Sequence, residues 1–289
     1  MICCLCPRNC GVERTETLRG GVCGEPSAPV CARAGLHLWE EPCLVGQHGA
    51  GTVFFSGCSL RCCFCQNEPI SQQGVGKTIS AGRLRTIYEE LIAQGAACID
   101  LVTPTHFTPV ILESLDQPLP VPVVWNSGGY EKPETLRLLE GRVQVYLPDL
   151  KYVLSGPAKR YSAAEDYFDW AAPAILEMFR QTGPYRMENG LLRSGVLIRH
   201  LMLPGEMENT RRCIDWVAET FRPGDVLFSL MSQYTPQPGA TGNLKRHVTR
   251  AEYSAAVEYM ENCGIRDGFT QERTSAKEEY TPDFDLSGV

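Results

Sequence analysis

The chain has 289 residues, a formal net charge of -7 and 43% hydrophobic side chains, enough apolar material for a large core. Charged residues of both signs make up 21%, which speaks against disorder, and the acidic balance offers no general attraction to nucleic acid or anionic lipid. No run approaches the roughly 18 apolar residues of a membrane helix, and the opening Met-Ile-Cys-Cys-Leu-Cys-Pro-Arg has no signal-peptide core, so a cytoplasmic protein with reduced thiols is expected.

Residues 1–50 are rich in Cys, Gly and Pro and show no sustained period. So short a segment cannot build its own core, and a small metal-stapled cap is expected there. Its Cys3, Cys6, Cys10 and Cys23 have the spacing C-x2-C-x3-C-x12-C. Four ligands permit a closed site, for which a second four-iron cluster and a structural zinc are both candidates. Cys4 is an alternative to Cys3, and Cys43 is a candidate ligand for either cysteine site. Cys31, Cys63, Cys98, Cys213 and Cys263 read as core or surface thiols.

From residue 51 to about 272 short apolar runs alternate with amphipathic helical patterns. Strands are expected at Thr52–Ser56, Cys98–Val102, Val121–Trp125, Val143–Leu147, Val196–Leu203 and Val226–Met231. Ser80 reads as the cap of a helix carrying Leu84, Ile87 and Leu91, and Ser162-Ala-Ala-Glu165 reads as the capping box of a long helix. Thr249-Arg-Ala-Glu252 caps a last helix that ends near Gly264. Six such units imply an α/β fold, a partial parallel (βα)6 barrel with the Cys-rich cap in front. Its site should lie at the C-terminal ends of the strands. The tail, residues 273–289, is polar and without a clear period.

Directly after the first expected strand comes Cys58-Ser-Leu-Arg-Cys62-Cys63-Phe64-Cys65. Thiolates at C-x3-C-x2-C, here Cys58, Cys62 and Cys65, can hold three corners of a four-iron cluster and leave one iron open for chemistry. Structural zinc wants four ligands, for which Cys63 is a poor fourth and His48 lies ten residues upstream.

The run Gly57-Cys58-x3-Cys62-x-Phe64-Cys65-Gln66-Asn67 resembles the radical S-adenosylmethionine superfamily. Within it the chain is similar to the group related to the activating enzyme of pyruvate formate-lyase. The matching motifs include Cys6-Pro-Arg-Asn-Cys10, Trp39-Glu-Glu-Pro-Cys43, Val102-Thr-Pro-Thr-His106, Tyr146-Leu-Pro-Asp149-Leu-Lys151-Tyr152 and Ile198-Arg199-His200, and the likeness covers nearly the whole chain. The resemblance implies a [4Fe-4S] cluster that binds S-adenosyl-L-methionine and a radical that abstracts a hydrogen atom. It also implies a low-potential reductant such as flavodoxin or ferredoxin.

The resemblance implies cofactor-binding roles for several residues. Phe64 is suited to pack beside adenine or to fill the core under the loop. Gln66 can meet the adenine edge or cap the loop, and Asn126 can reach the ribose or carboxylate or serve only its turn. Asp149 and Lys151 share a strand face and stand at the methionine end of the cofactor, either as its contacts or as a buried ion pair. Arg199 offers a fork for a carboxylate, whereas His200 faces away from it and reads as structural. The Gly-Gly-Glu of many members is replaced by Thr103-Pro-Thr-His106, whose hydroxyls or imidazole are the candidate substitutes. Three activities remain open at this level. The chain is an activase taking hydrogen from a glycine of a partner glycyl radical enzyme, a radical enzyme acting on a small metabolite or peptide, or a metal-sensing interaction protein that leaves the cofactor intact. The first predicts an open mouth; the second predicts a mouth closed by the cap or by the tail around Asp283 and Asp285.

Overall fold

A computed structural model describes residues 2–271 and 282–289. The end of the expected barrel at residue 272 and the tail from 273 to 281 lie outside these residues. The strands are β1 (Val30–His37), β2 (Ala50–Phe55), β3 (Lys77–Thr78), β4 (Ile99–Val102), β5 (Val123–Ser127), β6 (Val145–Pro148), β7 (Arg186–Glu188), β8 (Leu191–Leu201), β9 (Leu227–Met231) and β10 (Gly268–Thr270). The helices are α1 (Pro42–Val45), α2 (Glu68–Ser71), α3 (Ala81–Ala93), α4 (Thr108–Ser114), α5 (Pro133–Arg137), α6 (Ser155–Ser162), α7 (Tyr167–Thr182), α8 (Met207–Thr220) and α9 (Arg250–Asn262).

The main sheet runs β10-β9-β8-β6-β5-β4-β2-β1-β3, and β2, β4, β5, β6, β8, β9 and β10 are parallel neighbours. It is a partial parallel barrel, open between its two edge strands, as the alternating pattern predicts. All six expected strands form, with ends shifted by a few residues. A seventh parallel strand, β10, was too short to show a period. The cysteine-rich segment also contributes to the sheet: β1 pairs antiparallel with β2 and β3. Residues 282–289 run along β1, with Leu286 N–H donating to Ala32 O (3.0 Å) and Ala34 N–H to Ser287 O (2.9 Å).

Period-two alternation sorts each strand into a helix-facing side and a barrel-facing side. Leu101, Trp125, Tyr146, Ile198 and Phe228 face the helices in the large outer core. Cys98, Val124, Val145, Leu197 and Leu227 fill the bottom of the barrel, and α1 closes it with Cys43 and Leu44. Cys43 therefore packs at the opposite end of the barrel from the cysteine loop and is not a ligand beside Cys58, Cys62 and Cys65. His48 also lies at that bottom, its ring 2.9 Å from where a Cβ on Gly95 would stand.

Both outer caps follow the sequence. Ser80 accepts from Arg83 N–H at the start of α3, and Thr249 with Glu252 forms a complete capping box on α9. The expected box at Ser162–Glu165 does not form. Ser162 is instead the last residue of α6, Ala163 is left-handed (φ 46°), and α7 begins at Tyr167 without a side-chain cap. The reason is competition for one hydroxyl: Ser162 Oγ is committed to the cysteine loop at 3.0 Å from Cys62 Sγ.

Candidate functional site

The parallel strands point their C-terminal ends into an open cleft of about 1100 Å³, solvent at its mouth included. Cys58, Cys62, Phe64, Cys65, Gln66, Asn126, Asp149, Lys151 and Arg199 all line it. The expected site residues from the loop after β2 and from β5, β6 and β8 are thus brought to one wall system.

Gly57 starts the loop at φ 78°, where a Cβ would stand 2.3 Å from Glu25 Cγ and 2.8 Å from Cys23 O. Only glycine fits this crossing between the strand end and the cap. Past it, each sulfur receives one donor. Leu60 N–H points at Cys58 Sγ (3.4 Å), Ser162 Oγ at Cys62 Sγ (3.0 Å) and Ser71 Oγ at Cys65 Sγ (3.3 Å). Burial first, then the neighbouring thiols Cys58 and Cys65, pushes the Cys62 thiol up to about 12, while Lys151 pulls it down. The loop thiols thus lie within electrostatic reach of one another and of a lysine. Donors aimed at sulfur suit thiolates that carry metal charge. The residues present therefore fit a three-thiolate cluster, and Ser162 and Ser71 are members of the site that spacing alone did not identify.

Behind the cleft lies a charged floor. Arg199 donates from Nε to Asp149 Oδ1 (2.9 Å), from Nη1 to Glu40 Oε1 (3.0 Å) and from Nη2 to Asn126 Oδ1 (2.7 Å). Asn126 Nδ2 donates in turn to Glu40 Oε2 (3.2 Å) and Asp100 Oδ2 (3.4 Å). Lys151 Nζ donates to Asp149 Oδ2 at 2.6 Å. The fork of Arg199 and the amide of Asn126 are therefore engaged with the protein itself. Lys151 spends one of its three donors. Burial alone would raise Asp149, but Arg199 and Lys151 hold its carboxyl below the usual range. Asp100, fully buried, is pushed up by burial and then by Glu40. Glu40, from the Trp39-Glu-Glu-Pro-Cys43 motif, was not singled out as a site residue; it enters from below the barrel.

Of the segment that replaces Gly-Gly-Glu, only Thr103 reaches the cleft. It is left-handed (φ 59°), unusual for a β-branched residue. Thr105 Oγ1 donates to buried Glu131 Oε1 (2.6 Å), and His106 Nε2 pairs with Ser56 O (2.6 Å). Burial lowers His106 to about 4, so it is neutral and spoken for. His200 faces away from Arg199, pairs with Leu150 O (2.7 Å) and Thr210 Oγ1 (3.0 Å), and is likewise lowered to about 4 by burial. Phe64 meets Tyr161 and Tyr234 edge-on, with centroids at 6.2 and 6.4 Å, while still lining the cleft. Gln66 Nε2 donates to Gln233 O at 3.3 Å across the mouth.

No family model matches the chain. It is 32% identical over 277 residues to uncharacterized protein MJ0674 of Methanocaldococcus jannaschii, covering 91% of this chain and 75% of that protein. Among solved structures, SuiB of Streptococcus suis bound to S-adenosylmethionine matches with a TM-score of 0.53 at 13% identity. That match covers 78% of this chain and 51%, about half, of SuiB. A spore photoproduct lyase variant matches with a TM-score of 0.50 at 11% identity, covering 75% and 74% of the two chains. These two likenesses are likenesses of fold.

Proposed function

The chain belongs to the family of the archaeal protein MJ0674 and has the radical S-adenosylmethionine fold, and from that premise we propose that it is itself such an enzyme. The observation that carries this reading is the trio Cys58, Cys62 and Cys65, each sulfur receiving a donor, on the wall of the cleft at the strand ends. A four-iron cluster with one open iron, carrying S-adenosyl-L-methionine, supplies one-electron cleavage of the sulfur–C5′ bond and a carbon radical that takes a hydrogen atom. The three cysteines hold the iron. Lys151 turns its unspent donors to the cofactor's carboxylate, Thr103 replaces the missing acidic contact to the amino group, and Phe64 forms a wall for the adenine. Asn126, Asp149 and Arg199 act from beneath as a rigid charged floor, and Gln66 braces the mouth through Gln233. Phe55, Leu60, Ile70, Val102, Leu201 and Met231 keep water from the reacting carbon.

The substrate is proposed to be a glycine in a partner glycyl radical enzyme. Among the described residues, neither the cap (2–50) nor the tail (282–289) contributes to the cleft wall, which supports an approach from outside. The electron is proposed to come from flavodoxin or ferredoxin. Anaerobic incubation of reconstituted protein with reductant and S-adenosyl-L-methionine should form 5′-deoxyadenosine, and Cys62→Ala should abolish it. No product from fully reconstituted wild type would overturn the enzyme reading. Product without a glycyl radical on any co-expressed partner would move the substrate to a small molecule or peptide.

A further inference from the structure

The four cap thiols sit in a knot of backbone hydrogen bonds. Cys3 N–H donates to Val12 O (2.9 Å), Gly11 N–H to Cys3 O (3.0 Å) and Gly20 N–H to Glu25 O (3.2 Å). Cys6 lies within electrostatic reach of Cys3, Cys10 and Cys23. Two of the sulfurs receive donors: Val22 N–H at Cys10 Sγ (3.4 Å) and Arg14 Nη1 at Cys23 Sγ (3.7 Å). Arg14 is 1% exposed, and its Nη2 donates to His106 O at 2.7 Å. A guanidinium and a backbone amide aimed at sulfur suit thiolates that share their charge with a metal group. Gly21 (φ 75°) keeps the space open, since a Cβ there would lie 3.2 Å from Cys10 Sγ. The sulfurs of a tetrahedral zinc stand about 4 Å apart. Among the described residues no three His, Cys, Asp or Glu side chains converge on the geometry of a single ion, and this holds for the cap thiols as it does for Cys58, Cys62 and Cys65. An iron–sulfur cube takes the wider tetrahedron.

Arg8, between Cys6 and Cys10, joins the cap to the cysteine loop. Its Nε donates to Ser59 O (2.8 Å), next to Cys58, and its Nη2 to Ser162 O (2.8 Å), the residue whose hydroxyl donates to Cys62 Sγ. Its third donor, Nη1, goes to Ala163 O at 2.6 Å. We propose that Cys3, Cys6, Cys10 and Cys23 hold a second four-iron cluster. It takes one electron from an external low-potential one-electron donor of ferredoxin or flavodoxin class. It passes that electron through the Arg8 contact to the cluster at Cys58, Cys62 and Cys65. One electron enters the cap and one leaves; no bond in the cap forms or breaks. The metal assignment is independent of the proposed reaction, and only the electron's destination rests on it.

Iron, zinc and sulfide are counted in anaerobically prepared wild type and in the double variant Cys6→Ser, Cys10→Ser. The wild type should hold about eight irons and no zinc, two cubes of four. The variant should hold half the iron and keep the reduced-cluster signal that S-adenosyl-L-methionine perturbs in electron paramagnetic resonance. One zinc per chain, or iron unchanged in the variant, would overturn the cluster. Should the variant fail to fold, Mössbauer spectra of the wild type decide: addition of S-adenosyl-L-methionine should shift one of two cubes, and a spectrum accounted for by one cube refutes the proposal. For the relay, Arg8→Ala should keep all the iron and slow 5′-deoxyadenosine formation several-fold with a ferredoxin or flavodoxin donor but not with dithionite. Equal rates with the protein donor would refute the Arg8 route. Loss of product in Cys62→Ala but not in the cap variant with dithionite separates failure of this inference from failure of the enzyme reading.

Discussion

Arg199 is the keystone of the barrel floor, and its replacement has a calculable cost. Its three donations to Asp149, Glu40 and Asn126 are made by a side chain only 14% exposed, facing carboxylates that are 17% and 12% exposed. Arg199→Met keeps the bulk but leaves Asp149 with Lys151 alone and Glu40 with two neutral donors, the Asn126 amide and the Glu41 backbone N–H, and no cation. Breaking a buried ion pair from one side costs roughly 3–5 kcal/mol, because the remaining charge is uncompensated. For a chain of this size that corresponds to a fall in melting temperature of roughly 10 °C. Glu40→Gln should behave oppositely. The amide oxygen still accepts from Arg199, and loss of the negative charge relieves Asp100, which Glu40 pushes upward. A change within about 1 kcal/mol is expected. Placed on Arg199→Met, Glu40→Gln should restore at least about 1 kcal/mol, because it then removes a charge that has lost its partner. Anaerobic urea denaturation followed by circular dichroism measures all three variants. Arg199→Met within 1 kcal/mol of wild type, or simple additivity in the double variant, would show that the floor is not held by this guanidinium.

Gly57→Ala should displace the cap from the cysteine loop, since the new methyl group would overlap Glu25 Cγ and Cys23 O; iron retained after gel filtration should fall sharply, and full retention would refute the close packing. Gly128→Ala should be milder, because the nearest atom is the movable end of Leu60 (2.8 Å). Ser162→Ala removes one donor from Cys62 Sγ; a differential of about 1 kcal/mol lowers a one-electron potential by about 40 mV, and a redox titration showing no shift would reject that role. Burial holds His106 and His200 neutral with pKa values of about 4. Unfolded imidazoles titrate near 6.5, so as pH falls from about 6.5 to about 4 the unfolded chain takes up protons that the folded chain refuses, and stability drops. Glu41, raised to about 7 by burial, acts in the opposite sense as pH rises from about 4.5. The variant with both histidines changed to Gln should have a flatter acid limb, and an acid limb as steep as that of wild type would contradict the assignment.

The barrel and the cysteine loop were legible because both depend on local spacing. Apolar runs of four to six residues report parallel strands wherever both faces are buried, and three thiols at fixed intervals after a strand report a loop that brings its sulfurs to one cleft. The alternation along Pro148–Lys151 and Ile198–Leu201 also placed Asp149, Lys151 and Arg199 on the cleft side and His200 on the helix side. What spacing could not carry was partnership between distant segments. Ser162 looked like a helix cap because its neighbours satisfy that pattern, yet the sulfur of Cys62, 100 residues away, holds the hydroxyl. Arg199 looked free to bind a ligand because its own strand is apolar. Its carboxylate partner Glu40 is 159 positions away, on a segment that enters through the bottom of the barrel. The only trace of that contact in the chain is a pair of acids, Glu40 and Glu41, just before α1, whose Cys43 and Leu44 are buried. A charged pair next to residues that must be buried needs a cation inside the fold, and Arg199 was one of the two, with Lys151, already placed on the inner face of the barrel.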